Sequence, residues 1–66
     1  MYKNVNAERA RKGITLENLA EALGLTISTV SQKLNGKYPI TLDEAKIIKG
    51  RLGVDMPLEE LFEEVE

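Results

Sequence analysis

The chain has 66 residues with no Cys, His or Trp, 42% apolar and 30% charged side chains, and a formal net charge of −2. At this length it forms one domain, residues 1–66, whose folding buries only about 60% of the unfolded surface. No disulfide or cysteine-bound zinc can brace it, and the composition is globular, not disordered.

The apolar periodicity is helical from end to end. Residues 4–12 predict a first helix with Val5 and Ala10 as core contributors, ending at Gly13. Leu16, Leu19, Ala20 and Leu23 fall at i, i+3, i+4 and i+7, one stripe of an amphipathic helix, with Thr15 as N-cap and Gly24 as C-cap. Thr26 caps the next helix, whose stripe is Ile27, Val30 and Leu34. Asn35-Gly36 closes it, since both residues tolerate a left-handed backbone. Thr41-Leu42-Asp43-Glu44 is a capping box opening a fourth helix that carries Leu42, Ala45, Ile48 and Leu52 inward and stops at Gly53. Gly50 lies inside that helix with no sequence reason for its presence. Pro57 starts a last helix over about 57–65, with Leu58, Leu61, Phe62 and Val65 as its apolar face. No stretch alternates as a strand does, so the fold class is all-α.

The charges are unevenly placed. Residues 1–54 hold nine basic and five acidic side chains, a net of +4, whereas residues 55–66 hold six acids and no base. A basic body suggests a charged partner, and the acidic last helix is expected on the face opposite the third helix. Within that tail, Glu59 with Glu63 and Glu60 with Glu64 stand one helical turn apart. They lack the Asp/Asn ladder of a calcium loop, so a solvated face is expected, with no metal and no cofactor. Without His or Cys, or a phosphate-cradling glycine loop, the chain is not expected to be an enzyme. No apolar run approaches the roughly 18 residues of a membrane span, and no signal peptide is evident. A soluble, cytoplasmic protein is expected.

The informative segment lies between Thr15 and Lys37. Two helices of about eight residues, over about 16–34, meet across a turn of three to four residues containing Gly, which describes a helix-turn-helix. Ala20 falls where the two helices cross, Gly24 where the chain reverses, and Val30 returns from the second helix onto the first. Ile14-Thr15-Leu16-Glu17-Asn18-Leu19-Ala20-Glu21-Ala22-Leu23-Gly24 followed by Thr29-Val30-Ser31-Gln32-Lys33-Leu34-Asn35-Gly36-Lys37 resembles the phage-repressor helix-turn-helix family. This is the Cro and lambda-repressor-like, or xenobiotic-response-element, type. The resemblance extends to Glu8-Arg9-Ala10-Arg11-Lys12-Gly13 in the first helix, Thr41–Ala45 with Ile48 and Leu52 in the fourth, and Leu58–Phe62 in the fifth.

The resemblance implies a compact five-helix domain whose third helix enters the major groove of double-stranded DNA, commonly as a homodimer on a palindromic site. Thr26, Ile27 and Ser28, with Gln32 one turn later, fall where family members face base edges. Thr29, Lys33, Asn35 and Lys37 fall where they meet phosphates. Gln32 suits adenine, and Ile27 either touches a thymine methyl or packs inward with Val30 and Leu34. Free N–H groups near Leu16 would turn toward a phosphate. This chain has Leu16 where the family commonly has Gln, and Leu34 where many relatives have a Glu paired with the Arg matched by Arg9. That ion pair is not expected here. Arg9, Arg11, Lys12, Lys46, Lys49 and Arg51 read chiefly as solvated surface. The implied function is a sequence-specific transcriptional regulator, a repressor of phage or plasmid type. The alternative is a protein-interaction module on the same fold, for which Leu16 and Ile27 on the DNA-facing rim speak.

Overall fold

Three threonines set the starts of three helices. In the computed structural model, which describes residues 2–64, the hydroxyl oxygens of Thr15, Thr26 and Thr41 accept from the amides of Asn18, Thr29 and Glu44 at 3.0, 3.2 and 3.2 Å. Each satisfies an amide that a helix start leaves without a partner, an effect of about 1 kcal/mol per cap. At Thr41 the box is complete, because the Glu44 carboxylate accepts from the Thr41 amide at 3.0 Å. The helices are α1 (Lys3–Lys12), α2 (Leu16–Leu23), α3 (Ile27–Leu34), α4 (Leu42–Leu52) and α5 (Leu58–Leu61).

The core draws on all five. Val5 of α1, Leu19 of α2, Val30 of α3, Ile48 and Leu52 of α4 and Leu61 of α5 are fully enclosed. The α2 helix packs against both α3 and α4, while α5 packs on α4 and α1. Helices this short have little stability in isolation, so this mutual burial is what keeps them formed.

Several expectations are corrected. Ala10 is exposed, and the core side of α1 is supplied by Val5 alone. Asn35 keeps a right-handed backbone (φ −85°), and the left-handed residue closing α3 is Gly36 (φ 83°). The α5 helix is one turn long, and Pro57 precedes it as its N-cap. Phe62 ends it, half-buried against the core, and Val65 lies outside the described residues. Leu42 has the phase of the inward stripe yet is 62% exposed among the described residues, at the first turn of α4.

The acidic last helix packs on α4 and α1, and the residues after it turn back to the start of the chain. Tyr2 holds the end of the chain in place: it forms an isolated antiparallel bridge with Glu64, and its ring meets Phe62 edge-on at 5.6 Å. The Tyr2 hydroxyl donates to the Glu64 carboxylate at 3.4 Å, and its amide donates to the Leu34 carbonyl at 3.3 Å. Burial first, and the Glu64 charge second, push the Tyr2 hydroxyl above its ordinary pKa. Although α5 packs on α1 and α4, these bonds bring Glu64 beside the C-terminal end of α3.

Gly24 and Gly50 test backbone need against free space. Gly24 closes α2 in the left-handed region (φ 70°), where a side chain strains the backbone. Gly50 sits in an ordinary helical conformation, and a β-carbon there would meet nothing within 4 Å. Gly50→Ala should therefore raise unfolding free energy by about 0.5–1 kcal/mol, and Gly24→Ala should lower it by about 1 kcal/mol or more. Urea titration followed by far-ultraviolet circular dichroism measures both.

Candidate nucleic-acid interface

The α2–α3 unit is built around a tight reversal. At its turn, the Gly24 amide donates to the Glu21 carbonyl at 3.3 Å and the Leu25 amide to the Ala20 carbonyl at 3.0 Å. This pair of bonds satisfies the last carbonyls of α2 and aims the chain at Thr26. Leu25 then packs against the core, and Thr26 starts α3 one residue later. Ala20 is buried between the helices, and Val30 and Leu34 fix the inner side of α3. With that side fixed, the opposite side of α3 must face out: Ser28 is exposed, and Gln32, one turn further, is partly so.

The predicted residues divide by what else they do. Thr26 is exposed, and its hydroxyl both caps α3 and donates to the Thr29 hydroxyl at 2.9 Å. Thr29 Oγ1 thus accepts from Thr26 and keeps its own proton for an outside acceptor. Ile27 is 47% exposed and stands apart from the buried Val30 and Leu34, so it does not pack inward. Leu16, in contrast, packs against the core, which leaves Ile27 as the apolar side chain on this rim. Asn35 and Lys37 are exposed beyond the end of α3. There the Lys37 amide donates to the Gln32 carbonyl at 2.9 Å, holding the chain in the same closing pattern as Gly24-Leu25.

Lys33 has a different role. Its ammonium donates to the Pro39 carbonyl and to Glu44 Oε1, both at 3.0 Å, and its side chain is largely covered. It ties the end of α3 to the start of α4 and does not join the outward set. The sequence could not show this, since the partner lies eleven positions on. Tyr38 is the reverse case: it follows Lys37 just beyond α3 and is 46% exposed. The signal was the Lys37-Tyr38 pair in the α3–α4 loop, which charge-based reading passes over. Arg9 donates to the Ile14 carbonyl at 3.3 Å, and Leu34 is buried, so these two positions form no ion pair.

The charge of the unit is small. Residues 15–37 carry Lys33 and Lys37 against Glu17 and Glu21 and are neutral as a segment. The positive surplus of residues 1–54 comes from α1, with Arg9, Arg11 and Lys12 near its end, and from Lys46, Lys49 and Arg51 of α4. Of these, Arg11 pairs with Glu8. At the N-termini of α2 and α3, the first two amides of each lie ahead of the first capped amide and are directed outward along the helix axis. Two helix N-termini and a polar outer side of α3 can therefore hold anionic groups through backbone amides. Among the described residues no cluster of carboxylates could hold a metal ion, and no helix is long and apolar enough to cross a membrane.

Comparison with known proteins identifies this architecture. A family model described as helix-turn-helix matches residues 5–58. The chain belongs to the Cro and lambda-repressor-like helix-turn-helix family. It is therefore a member of a DNA-binding, transcription-regulating family with the all-α, five-helix fold described above. Among curated proteins, it is similar to the cyanate hydratase of Photorhabdus laumondii, 34% identical over 47 residues that cover 71% of this chain and 30% of that protein. Cyanate hydratases of Burkholderia mallei and Burkholderia pseudomallei are 26% identical over 57 residues, 86% of this chain and 36% of theirs. The chain thus spans about a third of the length of these relatives, and the similarity is that of a helix-turn-helix part. No solved structure matches it.

The Lys33–Glu44 link makes stability pH-dependent. The Thr41 amide first, and the Lys33 ammonium after it, hold the Glu44 carboxyl below its ordinary pKa despite the opposing effect of burial. A depressed folded-state value stabilises the fold fully above the unfolded carboxyl pKa, about 4.3, and the contribution is lost as pH falls through the lower folded value. Glu44→Gln should lower stability at pH 7 and flatten the acid limb between about pH 5 and pH 3. Thermal unfolding measured across that range checks both effects.

Proposed function

We propose that this chain is a sequence-specific double-stranded DNA-binding regulator, a repressor of phage or plasmid type, that inserts α3 into the major groove. The observation that carries the reading is the orientation of α3. Its apolar side is locked by Ala20, Val30 and Leu34, and its other side offers Ser28 and Gln32, with Ile27 exposed at its start. Gln32 bonds the adenine edge in paired fashion, Ser28 bonds a neighbouring base, and Ile27 contacts a thymine methyl. Thr26, Thr29, Asn35, Lys37 and Tyr38 meet phosphates together with the leading amides of α2 and α3. Two copies on a palindromic site would set the half-site spacing. The role is binding and not catalysis, and the working place is the cytoplasm.

Because the helix-turn-helix is neutral and Lys33 is engaged elsewhere, few side-chain cations neutralise phosphates. The salt dependence of affinity should be shallow, with a slope of log K against log salt of about −2 to −4 per chain. Lys37→Ala should reduce that slope by about 1 unit, whereas Lys33→Met should leave it unchanged and lower fold stability. Gln32→Ala should cost about 1–3 kcal/mol at the preferred site and relax the preference at one base pair. Selection from random duplexes at low salt, followed by anisotropy titrations, provides these values. Failure to enrich any sequence, with no retardation of random duplex at low salt, would sink the reading.

The neutral α2–α3 segment and the exposed Ile27 favour a second reading, a partner-binding module without DNA contact. In that case Gln32→Ala leaves partner binding unaffected.

A further inference from the structure

Outside the α2–α3 surface the chain carries a second concave feature, a groove of about 430 Å³ between the first turn of α4 and α5. Its apolar lining includes Tyr2, Ile40, Leu42, Leu58 and Phe62, with Glu59 at its edge. The floor is rigid, because Tyr2 is buried and its ring meets Phe62 edge-on at 72°. The wall is Leu42, a stripe residue left 62% exposed at the first turn of α4. No residue of α2 or α3 lines the groove, so it is separate from the surface assigned above to DNA.

Around the groove acidic side chains outnumber basic ones, with Lys3 beside Tyr2 and Lys46 beside Ala45 as the cations. Asp43 follows Leu42, Glu59 lines the groove, and Glu64 accepts from the Tyr2 hydroxyl. No basic residue lines it. An apolar trough with an acidic edge is complementary to a helix that has apolar anchors on one side and Lys or Arg on its flanks. It is poorly matched to itself. A two-fold pair formed through this groove would place the Glu59 carboxylates of both copies in one interface, and like charges across an interface are unfavourable.

We infer that the α4–α5 groove is a docking site for a basic amphipathic helix of a partner protein, seated on Leu42 and Phe62 and flanked by Asp43 and Glu59. The inference does not depend on DNA binding. It gives the acidic tail a function: Glu59 and Glu64 lie where they select the partner's charge.

The test uses the whole chain, free of DNA, and a synthetic helical peptide of about 14 residues with Leu at i, i+3, i+4 and i+7 and Lys elsewhere. Amide chemical shifts should move saturably at Tyr2, Ile40, Leu42, Ala45, Leu58 and Phe62. The same peptide with Glu in place of Lys should bind at least tenfold more weakly. Leu42→Ser, at an exposed position that leaves the core intact, should weaken the Lys peptide about tenfold, and Glu59→Lys should narrow the preference for Lys over Glu at least threefold. Equal binding of the two peptides, shifts mapping to α2 and α3, or the absence of saturation overturns the proposal. Concentration-dependent shifts at the groove in the protein alone overturn it too, since they place a second copy there.

Discussion

The burial of α2 between α3 and α4 is the constraint on which the rest of this molecule rests. Eight residues are too few to hold a helix by hydrogen bonds alone, and α2 persists because Leu19 and Ala20 are enclosed by its neighbours. The methyl side chain of Ala20 lets α3 approach closely, and that approach brings Val30 into the core. The direction of α3 then follows from packing, not from any contact made by its outer residues. Ser28 and Gln32 take no part in the buried core.

What could be read from the sequence was the part fixed locally. Thr15, Thr26 and Thr41 act on amides three residues away, Glu44 reaches back over the same distance, and Gly24 answers a steric requirement of its own backbone. These relations are contained in a few consecutive residues, and each is realised in the fold. The stripes of α2 and α3 also located the core, because burial follows the helical period.

What could not be read was whatever depends on a distant partner. Leu42 and Ile48 share one stripe, yet a stripe does not state where the covering surface ends, and among the described residues it ends before Leu42. Lys33 has the composition of a phosphate ligand and the environment of a structural tie, a difference set by Pro39 and Glu44. The candidate interface was therefore legible as a segment and only partly as a set of side chains. Net charge behaved similarly. The −2 of the whole and the +4 of residues 1–54 both average over a neutral helix-turn-helix, with the cations carried on α1 and α4.

The clasp formed by Tyr2 bears on how this fold assembles. Most of the helix pairing joins neighbours in the chain, notably α2 with α3, and such local contacts close quickly at low entropic cost. The bond between Tyr2 and Glu64 spans 62 positions and closes a loop around nearly the whole polypeptide. Among the hydrogen bonds described it closes the longest loop, and so carries the largest closure entropy unless the helices have already met. The Tyr2 amide also bonds the Leu34 carbonyl, so this long closure meets the end of α3. The far end of α3 is thus tied to both ends of the described chain, while its leading turn is fixed by the local Thr26 cap.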